Sequence, residues 1–335
     1  MKKKRIILIA GLAAGAMALT GCTGGGGGGG GGAEAGEPVT LVLGHAGSET
    51  DPRQTAALRL AELVEEASDG DITVEVHASS TLGTWEEMIE GQQLGTIDIV
   101  IESLLSLETY SDLASVETTP FLYDGEDQFF EVWDGELGDE IKTAITDATG
   151  YDILGNLYRG PRELTTKEPV TELGDVDGLT IRTPSANTML ATWEALGARA
   201  EALPFNEVYS ALESGVLDGQ ENPLDAILFN SIHEVAPNIA RTSHMYANYH
   251  FLYWGEALAG LPEEYQAIIR DAADQVGEEY TADTIASFAD YEQQLVDGGA
   301  VFNDITDRDA WVEATQGIRD GQPEQVREWI SRIQG

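Results

Sequence analysis

A single cysteine, Cys22, serves a chain of 335 residues. That rules out an intramolecular disulfide, a cysteine cluster for zinc and a thiol nucleophile elsewhere in the fold. The five histidines, His45, His77, His233, His244 and His250, fall at no metal-ligand spacing, so no metal site is expected. Cations are scarce: 18 Lys and Arg face 59 Asp and Glu, for a formal net charge of −41. Phosphate backbones are gripped by clustered cations, so nucleic acid is not an expected partner. No glycine-rich turn leads into a helix as a phosphate cradle does, and no cofactor is expected. Paired carboxylates for acid–base chemistry cannot be singled out among so many acids, and no catalytic residue is assigned.

Two features stand out at the start of the chain. "MKKKRIILIAGLAAGAMALTGC" has a basic head, an apolar run too short to span a bilayer, and small residues before the cysteine. Leu19, Thr20, Gly21 and Cys22 read as a lipobox, predicting a lipoprotein signal peptide over 1–21 and a lipid on Cys22. The unbroken glycines Gly24 to Gly32 have no side chains to bury, so 22–38 is expected to be a flexible tether. An extracytoplasmic body held to the cell membrane by its lipid alone, at the cell surface or in the periplasm, follows.

Strand and helix patterns alternate along the rest. "VTLVLGHAG" reads as a strand and loop, "PRQTAALRLAELVEEASDG" as a helix, "DITVEVHASS" as a second strand, and "TWEEMIEGQQLGTIDIVIES" as a helix followed by a strand over 97–101. A second such set starts with a strand over 153–158 and continues through "GLTIRTP" (178–184) and the helical "ANTMLATWEALGA" and "FNEVYSALESGVLDG". This predicts an α/β fold with a largely parallel sheet and a lobe boundary near Arg159. Ligands of such sheets sit beyond the carboxyl ends of the strands, which directs attention to His45 and Glu102. Residues 261–299 read as one helix, too long for a small lobe, that crosses both lobes or mediates a dimer.

Beyond the leader only Lys142 and Lys167 are lysines, so arginines carry the positive charge, and Arg159, Arg162 and Arg182 gather at two strand ends. A guanidinium facing a cleft offers a planar fork for a carboxylate, although each could equally pair with a surface acid. Asn222 in "DGQENP" offers a hydrogen bond at the lobe edge or simply belongs to a turn. Trp85 suits either a stacking wall or the core.

The segments "ASSTLGTWEEMIEGQQLGTIDIV", "TTPFLY", "YRGPRELTT", "GLTIRTPSANTMLATWEALGA", "LPFNEVYSALESGVLDGQENP" and "LPEEYQAIIRDAA" stand in an order and spacing that resembles the solute-binding proteins of tripartite ATP-independent periplasmic (TRAP) transporters, the dicarboxylate-binding family. The resemblance covers the chain from about Val39 onward. It implies a two-lobed periplasmic-binding-protein-like fold with an interlobe ligand cleft and a long helix spanning both lobes, one lobe from 39–159 and 248–287 and the other from 160–247 and 288–335. It further implies an extracytoplasmic receptor, not an enzyme, that captures a small organic acid and delivers it to the membrane subunits of an ion-gradient-driven transporter.

On this resemblance Arg182 is the carboxylate clamp, Arg162 a second arginine of the site and Asn222 a contact to the ligand carboxylate. Phe205 is implied to pack on the ligand and Glu102 to reach it from the first lobe. His45 matches by position alone, as a variable contact or a plain loop residue. Thr84 and Trp85 stand where some sialic-acid-binding members carry acids, which argues against sialic acid. Arg159 beside Arg162, with Trp85 and Phe205, leans toward a uronate or aldonate. A sensor protein for a membrane signalling receptor and a surface hydrolase of acidic saccharides are the alternatives.

Overall fold

The computed structural model describes residues 38–335. The expected signal peptide, the lipidation site Cys22 and the tether up to residue 37 lie outside the described residues. Among those described, no helix is long and apolar enough to cross a membrane.

Among the described residues nine strands form one sheet: β1 (Val39–Gly44), β2 (Ile72–His77), β3 (Ile99–Glu102), β4 (Tyr151–Thr166), β5 (Thr180–Thr183), β6 (Arg199–Ala202), β7 (Gly219–Asn222), β8 (Asn238–Trp254) and β9 (Val301–Asp304). Their order is β2-β1-β3-β8-β4-β7-β5-β6, with β9 paired to β8. The strand–helix alternation gives two parallel sets, β2-β1-β3 and β7-β5-β6, as the pattern predicts. Between them, β8 and β4 run antiparallel to each other and to their flanking neighbours β3 and β7, so the sheet is mixed.

Two long strands were not read in full from the sequence. The strand expected over 153–158 extends through Arg159 to Thr166, so the boundary drawn near Arg159 falls inside an unbroken strand. β8, 17 residues long, went unassigned because "NIARTSHMYANYHFLYW" is buried on both faces and shows no clean polar–apolar alternation.

β4 and β8 hold their pairing across three register shifts, between Leu154 and Leu157, Tyr158 and Pro161, and Arg162 and Leu164. Bulges bend and twist a strand, and the first two of these fall between the stretch of the pair beside β3 and the stretch beside β7. Gly155 and Gly160 sit there with φ of 65° and 88°, in the left-handed region that glycine enters freely.

The long helix, Glu263–Asp297, contributes to two separate cores. Tyr265, Ile269, Ala273, Val276 and Tyr280 pack with Leu41, Leu43, Leu60 and Phe251. Tyr291 and Leu295 pack with Val208, Leu212 and Ile227. Each fully buried aliphatic side chain of this kind stabilises the fold by about 1.5–3 kcal/mol. The C-terminal helix Glu324–Gln334 departs from the expectation that all of 288–335 joins the second lobe. Its Val326, Trp329 and Ile333 pack with Trp133 and Ile141 in a further core that also holds Trp85 and Val100, and Trp329 Nε1 donates to Glu140 at 2.9 Å.

Candidate functional site

Two helices are held firmly where they approach the sheet ends. Asp51 caps the helix Pro52–Ala67 by accepting from Arg53 N at 2.9 Å, and Pro52 pre-sets the first turn. Thr84 and Glu87 form a reciprocal capping box on the helix Trp85–Gln93, which fixes Trp85 as its first residue. The carboxyl ends of β1, β3, β5 and β7 converge on the same region, where the second set's strand ends meet the first's.

There a cavity of about 40 Å³ is lined by Arg53, Trp85, Glu102, Arg159, Arg162, Arg182, Phe205, Asn222 and Tyr249, with Ala46, Leu105, Pro184 and Ala226. The structure therefore gathers seven of the eight expected residues around one space. The exception is His45. It is buried behind the wall, its Nε2 lies 2.8 Å from Gln54 Oε1, and its neighbour Ala46 reaches the cavity instead. Burial, and then the nearby Arg53 charge, lower the His45 pKa. The turn reading of Asn222 also gives way: it is the last residue of β7, buried at 5 % exposure. Nor are the strands of Arg162 and Arg182 adjacent, because β7 lies between β4 and β5.

The four arginines are not equivalent. Arg162 is locked by Glu221 on β7, with Nε and Nη2 both donating to the carboxylate, and Nη2 also donates to Asn222 Oδ1 at 3.1 Å. Burial alone would raise the Glu221 pKa, but Arg162 and a hydrogen bond from His244 hold it at about 2. Arg53 is paired with Asp51 through Nε at 3.0 Å and Nη2 at 2.8 Å. Arg159 lies 4.0 Å from Asp225 and 3.8 Å over the Tyr249 ring, which Arg53 also faces at 4.6 Å.

Arg182 differs. Ile181 before it points into a core, so strand alternation turns the guanidinium toward the cavity. Its Nε donates to Leu203 O at 2.8 Å, and its carbon lies 5.6 Å from the Phe205 ring centre. Neither terminal nitrogen has a hydrogen bond or ion pair among the described residues, although the residue is only 2 % exposed. Burial, with Arg162 adding to it against Glu221, lowers its pKa to about 10.

Sequence reasoning missed Arg53 and Tyr249. Arg53 had a readable signal, a cation at the start of the helix following the first strand-end loop. Tyr249 had none, because its strand was not assigned. Among the described residues no three His, Cys, Asp or Glu side chains group as metal ligands.

A buried cavity that presents more guanidinium forks than carboxylates, at the meeting of two α/β strand sets, defines a binding protein for a small anionic solute. Comparison with known proteins gives its kind. Residues 43–323 match the family described as bacterial extracellular solute-binding protein, family 7, and the chain belongs to that family. It is 30 % identical over 297 residues to a solute-binding protein of Roseobacter denitrificans, covering 89 % of this chain and 91 % of that one. The crystal structure of that TRAP periplasmic solute-binding protein, with bound L-galactonate, matches at a TM-score of 0.84 over 89 % of this chain and 99 % of the other. A TRAP periplasmic solute-binding protein of Pseudomonas putida F1 with bound D-glucuronate matches at 0.85 with 26 % identity, over 89 % and 97 %. The 2,3-diketo-L-gulonate-binding periplasmic protein of Escherichia coli K12 is 28 % identical over 260 residues, 77 % of this chain and 78 % of that one. The fold is thus the two-lobed fold of these extracytoplasmic solute-binding proteins.

Proposed function

We propose that the cavity holds a hydroxylated sugar acid by its carboxylate, with Arg182 as the clamp, and that the closed receptor delivers it to the membrane subunits of a TRAP transporter. One observation carries this reading: Arg182 is only 2 % exposed, yet among the described residues its terminal nitrogens have no protein partner and face the cavity, and a carboxylate supplies the two parallel acceptors that such a fork needs. Arg162 and Asn222, fixed by Glu221 and Gln220, complete the carboxylate end. Phe205 and Trp85 pack on the ligand's carbons, and Glu102 and Arg159 meet its hydroxyls. His45 shapes the loop from behind and makes no contact. The bound L-galactonate and D-glucuronate of two relatives support a six-carbon sugar acid.

In this reading the lobes are 39–159 with 248–287 and 160–247 with 288–335, except that the C-terminal helix straps back onto the first. The bulges of β4 and β8 serve as the hinge between them. Cys22 carries the lipid, so that a Cys22→Ala variant leaves the membrane fraction.

The test is thermal unfolding and calorimetry of the protein with L-galactonate and D-glucuronate, each beside its uncharged counterpart, galactitol and glucose. A ligand at 100 times its dissociation constant adds about 2.7 kcal/mol. Stabilisation by an acid and none by its counterpart is expected; equal response to both would sink the clamp.

A further inference from the structure

The proposed clamp accounts for one end of a ligand; the opposite wall of the cavity bears on what the other end is. Glu102, at the carboxyl end of β3, is only 8 % exposed. Its Oε1 accepts from Ser103 N at 2.9 Å and Ser103 Oγ at 3.4 Å. Oε2 has no partner among the described residues, and the residue lines the cavity. Beside it stands Arg53, whose Nε and Nη2 are taken by Asp51 while Nη1 has no partner. The first lobe therefore presents a bare carboxylate oxygen and a bare guanidinium nitrogen to the same space.

The charges of the cavity balance before any ligand enters. Arg53, Arg159 and Arg162 each have their own acid, Asp51, Asp225 and Glu221. Arg182 and Glu102 are the two that do not, one of each sign. A ligand carboxylate on Arg182 satisfies the positive member. A second carboxylate at the far end would meet the largely buried Glu102, where bringing two like charges together is costly. A distal ammonium would meet Arg53. A hydroxyl suits both at once, because it donates to Glu102 and accepts from Arg53.

Building on the proposed carboxylate clamp, we infer that Glu102 is a specificity-determining residue that selects monocarboxylates with a distal hydroxyl and rejects the corresponding dicarboxylates. The device is repulsive: the acid serves less to hold the favoured ligand than to exclude the doubly charged one.

The experiment compares L-galactonate with galactarate, its diacid counterpart, by calorimetry on the wild-type protein and on Glu102→Gln. The wild type is expected to bind galactonate at least about tenfold more tightly than galactarate, and Glu102→Gln to shrink that ratio to within about threefold by strengthening galactarate. Gln keeps the size and an acceptor oxygen, so galactonate binding by the variant also reports that its cavity is intact. Wild-type protein that takes both acids equally, or a variant whose ratio does not move, overturns the inference and leaves the Arg182 clamp standing. If neither acid binds the wild type but another monocarboxylate does, the same comparison with that acid's own diacid decides it. Failure of every monocarboxylate overturns the clamp and this inference together.

Discussion

Arg162 on β4 and Arg182 on β5 sit either side of β7, and only the first is answered by it: Glu221 takes two nitrogens of Arg162, Nε and, at 2.9 Å, Nη2, and accepts no hydrogen bond from Arg182. Two buried guanidinium groups in one cavity thus stand in opposite energetic positions, one already paid for by the fold and the other waiting for its counterion.

That contrast predicts opposite consequences for two substitutions. Arg182→Ala should cost about 3 kcal/mol or more of binding, over a hundredfold, because the ligand carboxylate would be buried unpaired. The unliganded variant should melt no lower than wild type, since an uncompensated buried charge has been removed. Glu221→Ala should instead destabilise the unliganded fold by about 3–5 kcal/mol, leaving Arg162 and His244 without their shared acceptor. Melting of both apo variants, with titration of the first, checks the pair; an apo Arg182→Ala protein much less stable than wild type would contradict it.

Glu117 gives a prediction about pH. Its carboxyl is buried, accepting from Leu105 N and Asn248 N at 3.2 Å each, and burial pushes its pKa up to about 8 against an ordinary 4.5. Glu163 is pushed the same way, to about 7. Between pH 4.5 and 8 the folded protein keeps a proton on Glu117 that the unfolded chain has lost, so stability falls as pH rises, by up to about 1.4 kcal/mol per pH unit for this group. Glu221 acts in the other direction only below pH 4.5, where its contribution is lost as pH falls toward 2. Buried His250, whose pKa burial lowers to about 3, acts in the opposite sense below pH 6.5, so urea unfolding at pH 6.5, 7.25 and 8 should show declining stability in the wild type and a shallower decline in Glu117→Gln. Parallel slopes for the two proteins would refute the assignment.

The parts of this molecule that sequence reveals are those with a local signature. The α/β alternation, the helix over 261–299 and the arginine before "TP" are written in periodicity and motif, and the order of the motif-bearing segments carried the family. What was hidden depends on distant pairing. β8 is paired along its edges by β3, β4 and β9 and buried on both faces, so its pattern is neither period two nor period 3.6, and Tyr249 was lost with it. Arg53 was visible as a residue but not as a wall of the cavity. Its position follows from the Asp51 cap and from the long helix packing on Pro52–Ala67, contacts that no local window contains. His45 erred in the opposite sense, since a strand-end position does not say which way a side chain turns.

The crossing of the long helix over the β4 bulge yields the last prediction. A Cβ on Gly155 would lie 2.6 Å from the carbonyl oxygen of Ala273, and one on Gly277 would lie 2.9 Å from the backbone N and O of Asn156. Backbone cannot swing aside as a side-chain tip can, and Gly155 also has φ of 65°. Gly155→Ala and Gly277→Ala should each destabilise the protein by roughly 1–3 kcal/mol in urea unfolding, while Gly174→Ala, with nothing within 4 Å, should stay within about 0.5 kcal/mol of wild type. Both clashes push the same helix off the same strand, so a shift that relieves one relieves part of the other. The double variant should therefore lose less than the sum of the two single losses. Strict additivity would mean that the two glycines serve separate contacts, and that the helix does not move on the bulge as one body.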